Sequence, residues 1–323
     1  IIAELNGESE KALACSAPTD EGKRSNFKKK FTDLFAKFFI KSKQPAKFNY
    51  YKQMPMYTDG CEDHSKAFNV SIDFDKRLPL AIVIPWFGED IVGGAEKHAY
   101  ELAYQLAQKG FKIEVLTTCS KSFRDEWSEN FHKPGSYNIN GIQVRRFLVD
   151  SRNKNLFDET SKSLLSKTAE TLHPIYFDGT DEENEIWKQE NINSSSLNYY
   201  ISEKRSKYNA FIFMPYLYGI TLKGIENAKD KAWLQPCLHN ESYAYLPCVR
   251  ESFINVKGIF FNSLGEQQLA ANIYGPSIWA KGIVVGEGIT FEKRKIGELP
   301  HNLLGKKFLL CIGRRCNEKN TNL

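Results

Sequence analysis

From about residue 78 onward, short apolar runs alternate with longer amphipathic stretches. Residues 80–84 (LAIVI) contain no polar position, as a strand covered on both faces requires. Pro85, Gly88 and the pair Gly93-Gly94 follow, and an apolar spacing of three and four closed by Gly110 predicts a helix over residues 95–110. The alternation continues: residues 112–116, 141–148, 208–214, 232–238, 258–261 and 282–285 read as strands. Helical patterns run from residue 219 to about Ala228 and onward from Leu264. Ser263 and Glu266 have the spacing of a capping box, which a helix start alone explains. Residues 151–206 are polar and partly helical, with an acidic, Asn- and Ser-rich patch at 178–196 expected to be a surface excursion. There is no internal repeat. Such alternation predicts an α/β fold with a doubly wound, mostly parallel sheet.

Composition narrows the class. A chain of 323 residues is too long for one small core and suggests two domains, or one with extensions. No apolar run of about 18 residues predicts a membrane-spanning helix, and the start lacks a basic-then-apolar signal segment. Seven cysteines (Cys15, Cys61, Cys119, Cys237, Cys248, Cys311 and Cys316) are odd in number and include no C-x-x-C pair. They read as reduced thiols of a cytoplasmic protein, not a disulfide frame or a zinc site. The chain opens on Ile1 and stops at Leu323 where a helix would begin, so it reads as a piece excised from something longer.

The net charge of +5 is unevenly spread: nine Lys or Arg between Lys23 and Lys47 face Asp33 alone, a local +8 that leaves −3 elsewhere. Phe27, Phe31, Leu34, Phe35 and Phe38 share one helical face in this segment. Two readings stay open. The Phe stripe packs on the main domain with its lysines solvated, or residues 27–41 lie peripherally on an anionic membrane face. No recognised module accompanies the charge, so nucleic acid is not an expected partner. Residues 1–77 are read as a linker or extension.

Candidate chemistry collects after strand ends. Gly93-Gly94 opens a helix, whose first turn has unpaired N–H groups and partial positive charge, so the pair is a candidate seat for a phosphate. Close packing of helix on sheet explains the same glycines. The dinucleotide fingerprint G-x-G-x-x-G is absent, and the second strand ends in Thr117-Thr118-Cys119-Ser120 without the acid that grips a ribose. Trp86, Phe87, Tyr216, Tyr218, Tyr243 and Tyr245 would surround the carboxyl edge of the sheet as stacking faces for a sugar, with His239 and Glu241 as polar contacts. His239 could equally satisfy backbone at a strand end. Asp73-Phe74-Asp75 spells D-x-D, but it precedes the first strand and reads as linker.

The stretches IVGGAEKHAYELAYQLAQKG, FNSLGEQQLA, VVGEGI and CIGRRCNEKN, in this order, resemble family 4 glycosyltransferases. PYLYG followed by CLHNESYAYLP is similar to the bacterial subset that builds surface polysaccharides. The resemblance covers residues 78–323 and implies a retaining enzyme of the two-domain GT-B type, which moves a sugar from a nucleoside-diphosphate sugar to a glycan or lipid-linked acceptor. It implies a Rossmann-like amino-terminal acceptor domain over 78–300 and the start of a carboxyl-terminal donor domain over 301–323. Gly93 and Gly94 would approach the donor diphosphate, His239 would lie near the transferred sugar, and Arg314 and Lys319 would neutralise the leaving group. No cofactor and no metal are implied, and no D-x-D pair sits at a strand end. The family's paired glutamates would lie beyond Leu323, so the chain is expected to be inactive alone. Two alternatives remain: a non-catalytic carbohydrate-binding or scaffold module, and a nucleotide-dependent epimerase or dehydrogenase.

Overall fold

The structure, a computed structural model, describes residues 74–89, 91, 93–167, 181–288 and 303–307. The chain divides into two compact units, residues 1–289 and 290–323, and the elements below belong to the first. The basic helix expected over 27–41 lies outside the described residues.

Among the described residues, one sheet contains β1 (Leu80–Val83), β2 (Ile113–Thr118), β3 (Gly135–Ile139), β4 (Ile142–Phe147), β5 (Ala210–Phe213), β6 (Ala232–Leu234), β7 (Gly258–Phe261) and β8 (Gly282–Val284). The helices are α1 (Gly94–Gln108), α2 (Lys154–Leu165), α3 (Asp181–Gln189), α4 (Ser195–Lys204), α5 (Gly219–Ala228), α6 (Pro247–Asn255), α7 (Leu264–Tyr274) and α8 (Ser277–Lys281). Strand order is β3-β4-β2-β1-β5-β6-β7-β8. Every neighbouring pair is parallel except β3 with β4. The fold is therefore α/β with a doubly wound, mostly parallel sheet, as the alternation predicts.

The winding follows from crossover handedness. From β1 the chain moves outward through α1 to β2, while from β5 it moves the opposite way through α5, α6 and α7. Right-handed crossovers in opposite directions place their helices on opposite faces. Alternate side chains of β1 accordingly enter two different cores. Leu80 and Ile82 join Ala99, Leu102, Ala103 and Leu106 of α1, whereas Ala81 and Val83 join Ile220, Ile225, Val249, Phe253 and Ile273 of the opposite layer. Each large apolar side chain so enclosed contributes about 1.5–3 kcal/mol. Packing of β6 on β7 is tight enough to need a bare backbone: a Cβ on Gly258 would stand 2.2 Å from the Trp233 ring.

Two elements depart from the sequence reading. Gly135–Ile139 is a strand, paired antiparallel with β4 through a two-residue turn. Asn140 and Gly141 take φ of 49° and 84°, the left-handed pair such a turn requires. The surface excursion expected over 178–196 is corrected in part: most of the described residues in it have exposed surface, but α3 buries Trp187, and Asn191, Ile192, Asn193 and Ser194 are all buried. Their polar side chains replace backbone partners. Asn191 donates to the Leu217 carbonyl, Ser194 to the Leu148 carbonyl, and Ile220 N–H to the Ile192 carbonyl. The segment clips the loops after β4 and β5 together.

Candidate functional site

Strand order reverses between β1 and β5, which lie side by side in register from Leu80↔Ala210 to Val83↔Phe213. In an open α/β sheet the crevice for a ligand lies beyond the carboxyl ends at such a switch point. Here it is flanked by the loops after residues 83 and 213.

Gly93 and Gly94 occupy that place. Gly93 is the N-cap of α1 and offers no side-chain hydrogen bond to the first turn. Glu96 fills the seat instead. A Cβ on Gly93 would stand 1.9 Å from its carboxylate Oε2, and this carboxylate accepts from the Glu96 backbone N–H. Glu96 is buried, and burial raises its pKa above the ordinary carboxylate value.

The aromatic rim expected around this edge is corrected. Trp86, Phe87 and Tyr216 have no exposed surface, and Tyr218 is buried as well. They form an internal spine. Trp86 meets Tyr218 edge-on at 5.0 Å, and both pack on Trp127. Tyr216 lies over Tyr243, which stacks on Trp187 at 4.9 Å. Phe87 packs against Tyr100 on the α1 side. Rings of this size bury more apolar area inside than any surface contact would, so the loops fold them inward. Trp86 Nε1 is satisfied by Ser120 Oγ at 3.2 Å, while the Tyr216 hydroxyl is buried without a hydrogen-bond partner. Tyr243 is half-buried, as is Glu241, and His239 is exposed. Glu241 N–H donates to the His239 carbonyl at 2.9 Å, a tight bend that leads into the one-turn helix Ser242–Tyr245.

A polar cluster not singled out in the sequence occupies the same corner. His98, in the second turn of α1, touches the side-chain amide of Gln235 just past β6, and that amide donates to Asn262 Oδ1 just past β7 at 2.9 Å. Burial holds His98 below the ordinary imidazole value. Glu266 closes the cluster. The Ser263 hydroxyl accepts from Glu266 N–H at 3.1 Å, as the capping box predicts. The Glu266 carboxylate, however, takes Leu238 N–H at 2.6 Å and Asn262 N–H at 2.5 Å. It thus ties the loop after β6 to that after β7. Between them Cys237 adopts φ of 53°, and burial pushes its thiol far above the ordinary value. A histidine on the apolar stripe of α1 was the available signal, and it needed the neighbouring strand ends to become legible.

Arg314 and Lys319 lie outside the described residues. Among the described residues, no group of three or more His, Cys, Asp or Glu is disposed to hold a metal ion. No helix there is long and apolar enough to cross a membrane.

No protein-family model matches this chain, and no curated protein does. Among solved structures, the crystal structure of α,α-trehalose-6-phosphate synthase from Burkholderia multivorans matches with a TM-score of 0.35 and 10% identity. The match covers 62% of this chain and 43% of that one. The chain therefore spans less than half the length of the structure it matches.

Proposed function

We propose that this chain forms the acceptor-side half of a retaining, GT-B-type glycosyltransferase of family 4, acting on a nucleoside-diphosphate sugar and a glycan or lipid-linked acceptor at the cytoplasmic side of a membrane. The observation that carries the reading is the corner where α1 begins. Gly93-Gly94 opens that helix at the end of β1, and His98 bonds to Gln235 at the end of β6, four residues before His239. The glycine loop and the segment leading to His239 thus share one edge of the sheet, as a common ligand demands.

In this reading the acceptor hydroxyl oxygen bonds to the anomeric carbon from the same face as the bond to the diphosphate oxygen breaks, which retains the configuration, and the hydroxyl proton passes to the departing diphosphate oxygen. The departing charge falls toward the N–H groups of the first turn of α1. Arg314 and Lys319 supply positive charge by the family resemblance, without a metal. His239, being exposed, hydrogen-bonds to the transferred sugar. Tyr243 and Glu241 are the remaining contacts for substrate, beside the half-buried Tyr245, since Trp86, Phe87, Tyr216 and Tyr218 are enclosed.

Glu96 bears on the alternative in which this edge binds carbohydrate without turnover. Its carboxylate sits against Gly93, where a diphosphate oxygen would come, so donor binding requires it to swing out. Isothermal titration with pyrophosphate and nucleoside diphosphates tests the reading. Weak binding is expected from the wild-type chain and several-fold tighter binding from Glu96→Gln, as removing a like charge predicts. If neither protein binds any diphosphate while glycans do bind, the carbohydrate-binding module is the correct reading. Tight binding of reduced nicotinamide would instead favour the dehydrogenase.

A further inference from the structure

Away from the crevice, the sheet carries a buried guanidinium with no acid beside it among the described residues. Arg146, near the end of β4, is 7% exposed. Among the described residues its hydrogen-bond partners are both backbone carbonyls: Nη1 donates to Thr118 O at 3.3 Å and Nη2 to Phe87 O at 2.7 Å. None of the ion pairs among the described residues includes it. Its neighbour Arg145, on the opposite face, shows the usual arrangement, paired with Glu114 at 2.8 Å. Burying a cation without a counter-charge is costly, and the guanidinium retains N–H donors that the two carbonyls leave unused.

Arg146 lines a cavity of about 390 Å³ together with His132, Lys133, Tyr137, Asn138 and Phe131. Among the described residues no acidic side chain lines it. The β3–β4 hairpin frames the space: Gly135 stands directly opposite Arg146 and brings no side chain of its own, while the Tyr137 ring lies beside it. The rim is held in place. His132 N–H donates to the Cys119 carbonyl at 2.8 Å, and the Tyr137 hydroxyl donates to the Lys133 carbonyl at 2.8 Å. A fixed buried cation, a second cation on the rim and a histidine lining the same pocket match a dianionic oxyanion, whose oxygens accept from several directions.

We propose that this pocket binds a phosphate group, with Arg146 as the fixed charge and Lys133 and His132 as rim donors. The phosphate is either the free ion or the ester group of a small phosphorylated molecule. The site is separate from the Gly93-Gly94 seat and stands whether or not the crevice handles a nucleotide sugar.

Isothermal titration of the 323-residue chain with inorganic phosphate, glucose 6-phosphate and glucose, at ionic strength matched with sodium chloride, tests it. Both phosphates should bind and glucose should not. Equal affinities assign the pocket to the free ion, and a tighter ester assigns it to a phosphorylated molecule. The double variant His132→Ala/Lys133→Ala should weaken phosphate binding about tenfold or more, as the loss of charge-assisted hydrogen bonds implies, with an unchanged melting temperature without ligand. Arg146→Lys should weaken it further. Because Arg146 also holds two loops, the rim variant carries the decision if that protein unfolds. Phosphate binding that is undiminished in the rim variant, or absent beyond the chloride control, overturns the proposal.

Discussion

Glu266 illustrates how one side chain here does more than its local motif requires. A capping box needs only a carboxylate returning to its own helix start. Glu266 makes that return to Ser263 and also collects N–H groups from two loops, and it is enclosed. Desolvation outweighs those bonds and raises its pKa from 4.5 to about 7. The folded state therefore binds a proton that the unfolded chain has released between those two values. Stability contributed by this group is present below about pH 4.5 and declines as pH rises toward 7, by up to about 3 kcal/mol. Urea unfolding at pH 5 and pH 8 should show this decline, and Glu266→Gln should flatten it; an identical slope in the variant contradicts the assignment. Trp86 makes the converse point. Its position after a strand end suggested a sugar platform, yet it has no exposed surface. Trp86→Ala should cost about 3–5 kcal/mol of stability, measured by denaturant unfolding. A variant of unchanged stability but weaker glycan binding would restore the original reading.

At the scale of elements, the buried strands were legible because a parallel strand roofed on both sides must be apolar throughout, as LAIV of β1 is. The edge strand β3 was not, since GSYNI is almost wholly exposed and has no such run. Asn140-Gly141 was nevertheless a hairpin signal, placed between two segments of strand length. Gly141→Ala forces a side chain into φ of 84° and should cost about 1–2 kcal/mol. It should also loosen the hairpin that frames Arg146, read as faster amide exchange over residues 135–147. The buried segment 191–194 was misread for a related reason. Its composition is that of a loop, and only the carbonyls it meets make it interior.

For the whole molecule, the decisive fact is that the chain winds away from the centre of the sheet in two directions. This creates the switch point and brings the start of α1 against the end of β6. Close packing on the outer half of the sheet is unforgiving. Gly258→Ala drives a Cβ into the Trp233 ring and should destabilise by about 1–3 kcal/mol. Trp233→Leu should recover part of that loss in a double-mutant cycle, whereas strictly additive losses would mean that the two positions do not share the clash.

The amino-acid order alone determined where the buried strands and the helices α1, α5 and α7 lie, and that glycines open α1. Those are local consequences of apolar spacing and backbone freedom. It left undetermined which strand lies beside which, and whether an aromatic after a strand points outward or in. Neighbour order depends on crossover handedness summed over the chain, and burial depends on distant segments that form the roof. The three-dimensional packing therefore turned the expected sugar-stacking rim into an interior spine. It also gathered His98, Gln235, Asn262 and Glu266, far apart in sequence, into one polar corner.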